Sequence, residues 1–310
     1  MKYYLGIDIG GTFVKGVLVD ESGKVIADGK TPTGCADGGD VMCANIAALC
    51  AQLQSDAAVK ACAAGVGCAG MISDDGTVLF AGNLGLKNYP LADKLSALTG
   101  LPVKVTNDAN AAALGEAAYG AGRDYPDSIF ITLGTGVGGG IIIDGKLFQG
   151  GKNVGAEIGH MVIVHGGEKC TCGRKGCFEA YSSATALIKF TRSAMEEDRS
   201  SAMWKTCTPD TVTGRTAFDY ADCDDAAKRV VDGYIYNLAC GIINLANVFR
   251  PQAVILGGGV AEQGERLIAP LQERLDAKIF GGQGYAPVKI VKATLGNLAG
   301  ALGAAKLVIG

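Results

Sequence analysis

Apolar residues along this chain fall in short runs that end in glycine-rich turns, and the first run sets the pattern. Residues 3–8 are apolar and rich in β-formers, the turn Gly10-Gly11-Thr12 follows, and Phe13-Val14-Lys15-Gly16-Val17-Leu18-Val19 leads through Asp20-Glu21-Ser22-Gly23 to Lys24-Val25-Ile26. That spacing predicts a three-stranded meander. The same layout returns about one lobe later: Ser128-Ile129-Phe130-Ile131-Thr132-Leu133, the turn Gly134-Thr135-Gly136, residues 137–143, then Asp144-Gly145-Lys146-Leu147-Phe148. Two copies of one module predict two related lobes.

Between the copies, apolar periodicity predicts helices over 41–53 and 108–119 and a buried strand over 61–68. Beyond the second copy the pattern turns helical, over 184–194 and over 226–249, the latter ending ahead of Pro251. Ala253-Val254-Ile255-Leu256 reads as a strand running into Gly257-Gly258-Gly259, followed by helices over 262–278 and 298–308. The polar, turn-rich stretch 207–222 reads as a surface excursion. Strands alternating with helices place the chain in the α/β class.

Composition narrows the function. At 310 residues, two lobes are the expected organisation, and 48% hydrophobic residues suffice for a sizeable core. Lys and Arg number 28 against 31 Asp and Glu, with no basic run, so the footprint of a nucleic-acid binder is missing. No stretch holds the apolar length of a signal peptide or a membrane span, which predicts a cytoplasmic protein with no membrane partner.

Of the 11 cysteines, Cys35, Cys43, Cys50, Cys62, Cys68, Cys223 and Cys240 lie singly in Ala-rich or apolar stretches and read as small hydrophobes. Cys207 sits in a polar loop. Cys170, Cys172 and Cys177 crowd into one Gly-rich segment, and in a reducing compartment such a cluster reads as metal-binding before disulfide. With His160 they supply one imidazole and three thiolates, a set suited to a closed, structural Zn²⁺ site; free thiols are the other reading of the same residues.

Three glycine turns, Gly10-Gly11-Thr12, Gly134 to Gly140 and Gly257-Gly258-Gly259, each follow an apolar strand. Glycine lets backbone N–H groups approach a polyanion, and Thr12 and Thr135 add hydroxyl donors, so phosphate binding is the functional reading; a tight β-turn is the plain one for any of them alone. None fits the P-loop or dinucleotide pattern.

Asp8-Ile9-Gly10-Gly11-Thr12, Leu133-Gly134-Thr135-Gly136 and Leu256-Gly257-Gly258-Gly259 together resemble the two phosphate loops and the adenosine loop of the actin-like ATPase and sugar kinase superfamily. Gly155-Ala156-Glu157-Ile158-Gly159-His160, followed by Cys170-Thr171-Cys172-Gly173-Arg174-Lys175-Gly176-Cys177-Phe178-Glu179, is similar to the signature of the ROK family, which holds bacterial glucokinases, other hexose kinases and sugar-responsive repressors. The resemblance runs from Leu5 to the last helix. It implies two actin-like, ribonuclease H-like lobes, 1–120 with 298–310 and 121–297, around ATP and a hexose.

The resemblance also implies roles. It decides the cluster of His160, Cys170, Cys172 and Cys177 in favour of zinc. Asp108, which on its own residues would be an ordinary helix N-cap, becomes the general base in an Asn107-Asp108 pair at a strand-to-helix junction. Asn83, Asn107, Asp108 itself, Glu157, His160 and Glu179 match sugar-binding positions, and Asp8 would face the Mg²⁺ of the nucleotide. Lys15 neutralises phosphate or is a solvated strand residue. Leu86 stands where the family often has an aromatic residue, and Cys68-Ala69-Gly70 lacks the usual proline, which bears on sugar choice. Glucose phosphorylated at the 6-hydroxyl is the leading expectation; fructose, mannose, allose, N-acetylglucosamine and N-acetylmannosamine are the alternatives. A sugar-binding ROK repressor carries a helix-turn-helix domain ahead of its first phosphate loop, whereas Asp8 stands almost at the start of this sequence. A homodimer is expected.

Overall fold

A computed structural model describes residues 1–309; residue 310, the end of the expected C-terminal segment, lies outside the described residues. The chain divides into two compact units, one made of 1–130, 140–156 and the segment from 294 onward, the other of 131–139 and 157–293.

The first unit opens with the expected meander, β1 (Tyr3–Ile9), β2 (Phe13–Asp20) and β3 (Val25–Pro32), followed by α1 (Gly39–Asp56) and β4 (Ala63–Cys68). Then come β5 (Met71–Ile72), β6 (Val78–Ala81), β7 (Leu86–Tyr89), α2 (Leu91–Thr99), β8 (Val103–Asn107) and α3 (Asp108–Tyr119). The sheet has the order β3-β2-β1-β4-β8. Tight turns make β1 and β2 antiparallel, while the longer crossovers through α1 and α2 let β4 and β8 join in parallel. The register puts Ile9, Cys68 and Asn107 in one row, so β1, β4 and β8 end at one edge, where open α/β sheets present their ligand-binding turns.

Leu5, Ile7 and Ile9 alternate into one buried face with Met42, Ile46 and Leu53 of α1. On the other face β1 and β4 carry glycine where the C-terminal helix crosses them: a Cβ on Gly6 would lie 2.0 Å from the Ala301 carbonyl oxygen, and one on Gly65 would lie 1.7 Å from that of Ala304. The C-terminal helix therefore rests its alanines directly on the strand backbone. Strands β5, β6 and β7 form a small antiparallel sheet of their own. Their runs are too short to register as periodicity, and neither they nor α2 were expected from the sequence.

The chain continues through β9 (Ser128–Leu133), β10 (Val137–Ile143) and β11 (Lys146–Phe148), then α4 (Glu179–Ser182), α5 (Ala184–Glu197), α6 (Thr216–Tyr220), α7 (Asp225–Phe249), β12 (Ala253–Gly257), α8 (Glu265–Lys278), β13 (Lys289–Lys292) and α9 (Ala299–Lys306). The second five-stranded sheet has the order β11-β10-β9-β12-β13. The long α7 begins where the Asp224 carboxylate accepts the Ala227 N–H, and it ends at Arg250, whose φ of 46° breaks the helical path ahead of Pro251. No helix among the described residues is long and apolar enough to cross a membrane.

Two expectations need correction. Residues 207–222 are not a surface excursion: Val212, Ala217 and Phe218 are buried, and the Phe218 ring meets the Tyr234 ring edge-on at 6.5 Å, docking α6 on α7. Three apolar anchors in a polar stretch leave no periodic signal. Of the seven cysteines read as apolar filler, Cys43, Cys50 and Cys68 are buried, but Cys62 and Cys223 are exposed because each sits just outside an element, ahead of β4 and after α6.

Glu116, near the end of α3, is fully buried without a basic partner. Its carboxylate accepts the N–H of Ala121 at 2.9 Å, of Leu295 at 2.8 Å and of Thr294 at 3.1 Å, stitching two loops to the helix. Gly120 has to be glycine here, since a Cβ would lie 2.0 Å from Glu116 Oε2. Glu116→Ala orphans these buried donors, and urea denaturation should show a loss of about 3 kcal/mol or more. A loss under about 1 kcal/mol would contradict this account of the carboxylate.

Candidate functional site

In the first unit, the candidate residues gather at the carboxyl ends of β1 and β8. Asn107 closes β8 and caps α3, its Oδ1 accepting the N–H of Ala109 at 2.8 Å and of Asn110 at 3.2 Å, while its Nδ2 donates to the Gly70 carbonyl at 3.0 Å. Both ends of that amide are committed to backbone. Asn107 is the N-cap, so Asp108 stands as the first helical residue. Burial pushes the Asp108 carboxyl above the ordinary carboxylate range, against the opposing hydrogen bonds from the backbone of Ala109 and Asp108 and from Asn107.

Asp8 has the same character. Burial pushes it up to about 6, the Lys15 ammonium pulls it down, and the Asp108 charge adds to the rise. Lys15 stands opposite Asp8 in the β1–β2 register and donates to Asn297 Oδ1 at 3.5 Å. A Cβ on Gly300 would lie 2.8 Å from Asp8 Cγ, so the start of α9 closes over this carboxyl. Two mutually repelling, desolvated carboxylates make a place where a cation or a transferable proton is stabilised. The Cys68 thiol beside them is pushed up to about 12 by burial, with Asp108 and Asp8 adding to it, and stays protonated and inert. Gly10-Gly11-Thr12 leaves β1 at this edge, with Gly11 and Thr12 exposed. Asn83 is exposed in the turn Gly82–Leu84, which Gly85 terminates at φ 66°. Leu86 is buried at the head of β7.

In the second unit, Gly134-Thr135-Gly136 turns between β9 and β10. A Cβ on Gly258, itself at φ 84°, would lie 2.6 Å from the Leu133 carbonyl group, so the loop Gly257-Gly258-Gly259 abuts the start of the Gly134 loop. Glu179, at the head of α4, reaches the same loop: its Oε2 accepts the Val137 N–H at 3.1 Å, and a Cβ on Gly136 would lie 2.3 Å from that oxygen. Gly159 packs against the Val137 carbonyl, where a Cβ would lie 1.9 Å away, which brings the turn Ile158–His160 to the same place. Glu157, exposed, precedes that turn.

His160, Cys170, Cys172 and Cys177 are held by this packing with one ligand atom from each within 4.8 Å of all the others. Cys172 Sγ and Cys177 Sγ are 3.6 Å apart, and Cys170 Sγ is 3.6 Å from His160 Nδ1. Thiolates about 2.3 Å from a tetrahedral Zn²⁺ stand roughly 3.7 Å apart, so the donor set and spacing fit zinc with no ligand position left open. The other oxygen of Glu179 accepts from Thr171 Oγ1 at 3.2 Å and lies 3.7 Å from Cys170 Sγ, so the cluster orients this carboxylate. The residues expected from the sequence thus form two groups: Asp8, Gly10, Gly11, Thr12, Lys15, Asn83, Asn107 and Asp108 in the first unit, and Gly134, Thr135, Gly136, Glu157, His160, Glu179, Gly257, Gly258, Gly259 and the cysteines in the second.

The family model for the ROK family matches residues 4–310, and the chain belongs to that family. It is 38% identical to a glucokinase of Halalkalibacterium halodurans over 99% of this chain and 95% of that protein. A glucokinase of Streptomyces coelicolor is 37% identical over 99% and 98%. The crystal structure of a ROK family glucokinase from Streptomyces griseus in complex with glucose and AMPPNP superposes with a TM-score of 0.83 at 36% identity, covering 98% of each chain.

Proposed function

We propose that this chain is an ATP-dependent glucokinase that transfers the γ-phosphoryl group of ATP to the 6-hydroxyl of glucose. The observation that carries the reading is the pair of desolvated carboxylates, Asp108 and Asp8, at one sheet edge beside a glycine loop, in a chain that is 38% and 37% identical to two glucokinases over 99% of its length.

Asp108 accepts the proton of the attacking hydroxyl. Its raised pKa makes it a stronger base than an exposed aspartate, and the Asn107 cap fixes the helix on which it stands. Phosphoryl transfer is mostly positioning and charge neutralisation, and the amides of the two glycine loops supply donors for the phosphates. Asp8 would help hold the Mg²⁺ that accompanies the nucleotide, which would supply positive charge to offset the negative charge of the phosphates. Glu157, His160 and Glu179 are assigned to the sugar hydroxyls, and a bound zinc ion would hold the loop that carries them. The site belongs to a cytoplasmic enzyme, and the expected homodimer would appear at twice the chain mass in sedimentation equilibrium.

One pH prediction follows from Asp8. The free enzyme needs this carboxylate ionised to meet the metal-bound nucleotide, so kcat/KM for ATP should fall as pH drops through about 6. Initial-rate measurements from pH 5 to 8 test it; a flat profile, or an unchanged one in Asp8→Asn, would contradict the role. The substrate assignment is tested by a panel of hexoses in an ADP-coupled assay, in which glucose should give the highest kcat/KM.

A further inference from the structure

The two glycine loops share a feature that their sequences do not show. In the first loop, every carbonyl is tied back by one short segment after β3: Thr33 Oγ1 donates to the Gly10 carbonyl at 2.7 Å, the Cys35 thiol to that of Gly11 at 3.6 Å, and the Thr33 N–H to that of Thr12 at 2.9 Å. In the second loop, the head of α5 does the same. The Ala184 N–H donates to the Gly134 carbonyl at 2.8 Å, Thr185 Oγ1 donates to that of Thr135 at 2.7 Å, and the Gly136 carbonyl accepts the Gly134 N–H at 3.1 Å.

A trans peptide is planar, with its C=O and N–H pointing in opposite directions. Tying the carbonyls of Gly10 and Gly11 to the strap therefore turns the N–H groups of Gly11 and Thr12 the other way. Tying those of Gly134 and Thr135 does the same for Thr135 and Gly136. These four amides donate to no protein acceptor among the described residues, whereas Gly10 and Gly134 spend theirs on Phe13 and Gly136 within their own turns. Glycine is the residue least able to hold one peptide orientation unaided, so a loop of glycines needs an external constraint if its amides are to converge.

We propose that Thr33 and Thr185 are positioning residues for the nucleotide phosphates. Each uses its hydroxyl to lock one carbonyl inward, so that the next amide, Gly11 in one loop and Gly136 in the other, faces the anion. The inference rests on the kinase reading above. The two straps are built from different elements, a buried Thr33 after a strand and an exposed Thr185 at a helix head, yet each donates a threonine hydroxyl to a carbonyl of its loop. Neither hydroxyl contacts the ligand, so the effect reaches the reaction only through the loop amides.

The test uses Thr33→Val and Thr185→Val, which keep the side-chain shape and remove the hydroxyl, with the two Thr→Ser variants as rescue. In each Val variant KM for ATP should rise about tenfold, a free-energy change of about 1.4 kcal/mol, with KM for glucose within about twofold of wild type. Each Ser variant should return KM for ATP to within about twofold. Thr185 is exposed, so its variant gives an answer even where loss of the buried Thr33 hydroxyl unfolds the protein. An unchanged KM for ATP in a folded Val variant, an equal rise in both KM values, or a Ser variant as impaired as Val would overturn the proposal while leaving the kinase reading intact. Wild-type protein that fails to bind AMPPNP would overturn both.

Discussion

Asp108→Asn should lower kcat by about 10²- to 10⁴-fold, because the variant keeps the shape of the side chain and loses the group that takes the proton. Glucose binding, measured by calorimetry, should persist, since the Asn carbonyl oxygen can still accept a hydrogen bond from the sugar hydroxyl and Asn107 still caps α3. The same substitution should stabilise the protein. At pH 7 the unfolded chain carries this carboxylate in water at no cost, whereas the fold holds it desolvated with a raised pKa. That penalty is present above the ordinary carboxylate pKa and disappears as pH falls below it, so removing the charge should raise Tm at pH 7 and leave it nearly unchanged at pH 3. Loss of activity together with a gain in stability distinguishes a functional group from a structural one. Unchanged turnover, or a Tm that falls at pH 7, would rule out the assigned role.

Cys177→Ser should have the second-largest effect. The Cys177 side chain is fully buried, 3.6 Å from Cys172 Sγ, and a hydroxyl there is a poor zinc ligand. Wild-type protein should contain about one zinc per chain by elemental analysis, and the variant far less. Loss of the ion removes the force that holds Ile158–His160 and the head of α4 together, at a cost of roughly 3 kcal/mol, on the order of 6–12 °C in Tm. Activity should fall with it, because Glu179 takes its orientation from Thr171 and the Gly136 loop. Metal-free wild-type protein with full activity would contradict this.

The sequence and the structure agree best where a local pattern dictates the outcome. Apolar runs broken by glycine turns carried the meander of β1 to β3, the glycine loops carried the resemblance to the superfamily, and the segments 155–160 and 170–179 carried that to the family. The clustering of Cys170, Cys172 and Cys177 pointed to a metal because ligands close in sequence need little help from the fold to converge. What stayed hidden depends on distant partners. Glu116 is one polar residue on a helix until its carboxylate meets Thr294 and Leu295. Thr33 and Thr185 belong to no motif, and only the position of each loop shows what their hydroxyls hold. Asn107 marks the middle ground: the Asn-Asp pair was legible, but which of the two caps the helix is settled by backbone direction, and that choice makes Asp108 the first helical residue.

The most direct test of the central claim is to incubate the purified chain with Mg²⁺, ATP and glucose and follow the products by phosphorus NMR. Glucose 6-phosphate should appear in step with ADP in the wild type and be absent in Asp108→Asn at equal protein concentration. ATP hydrolysis without a sugar phosphate, or equal product from the variant, would contradict the account.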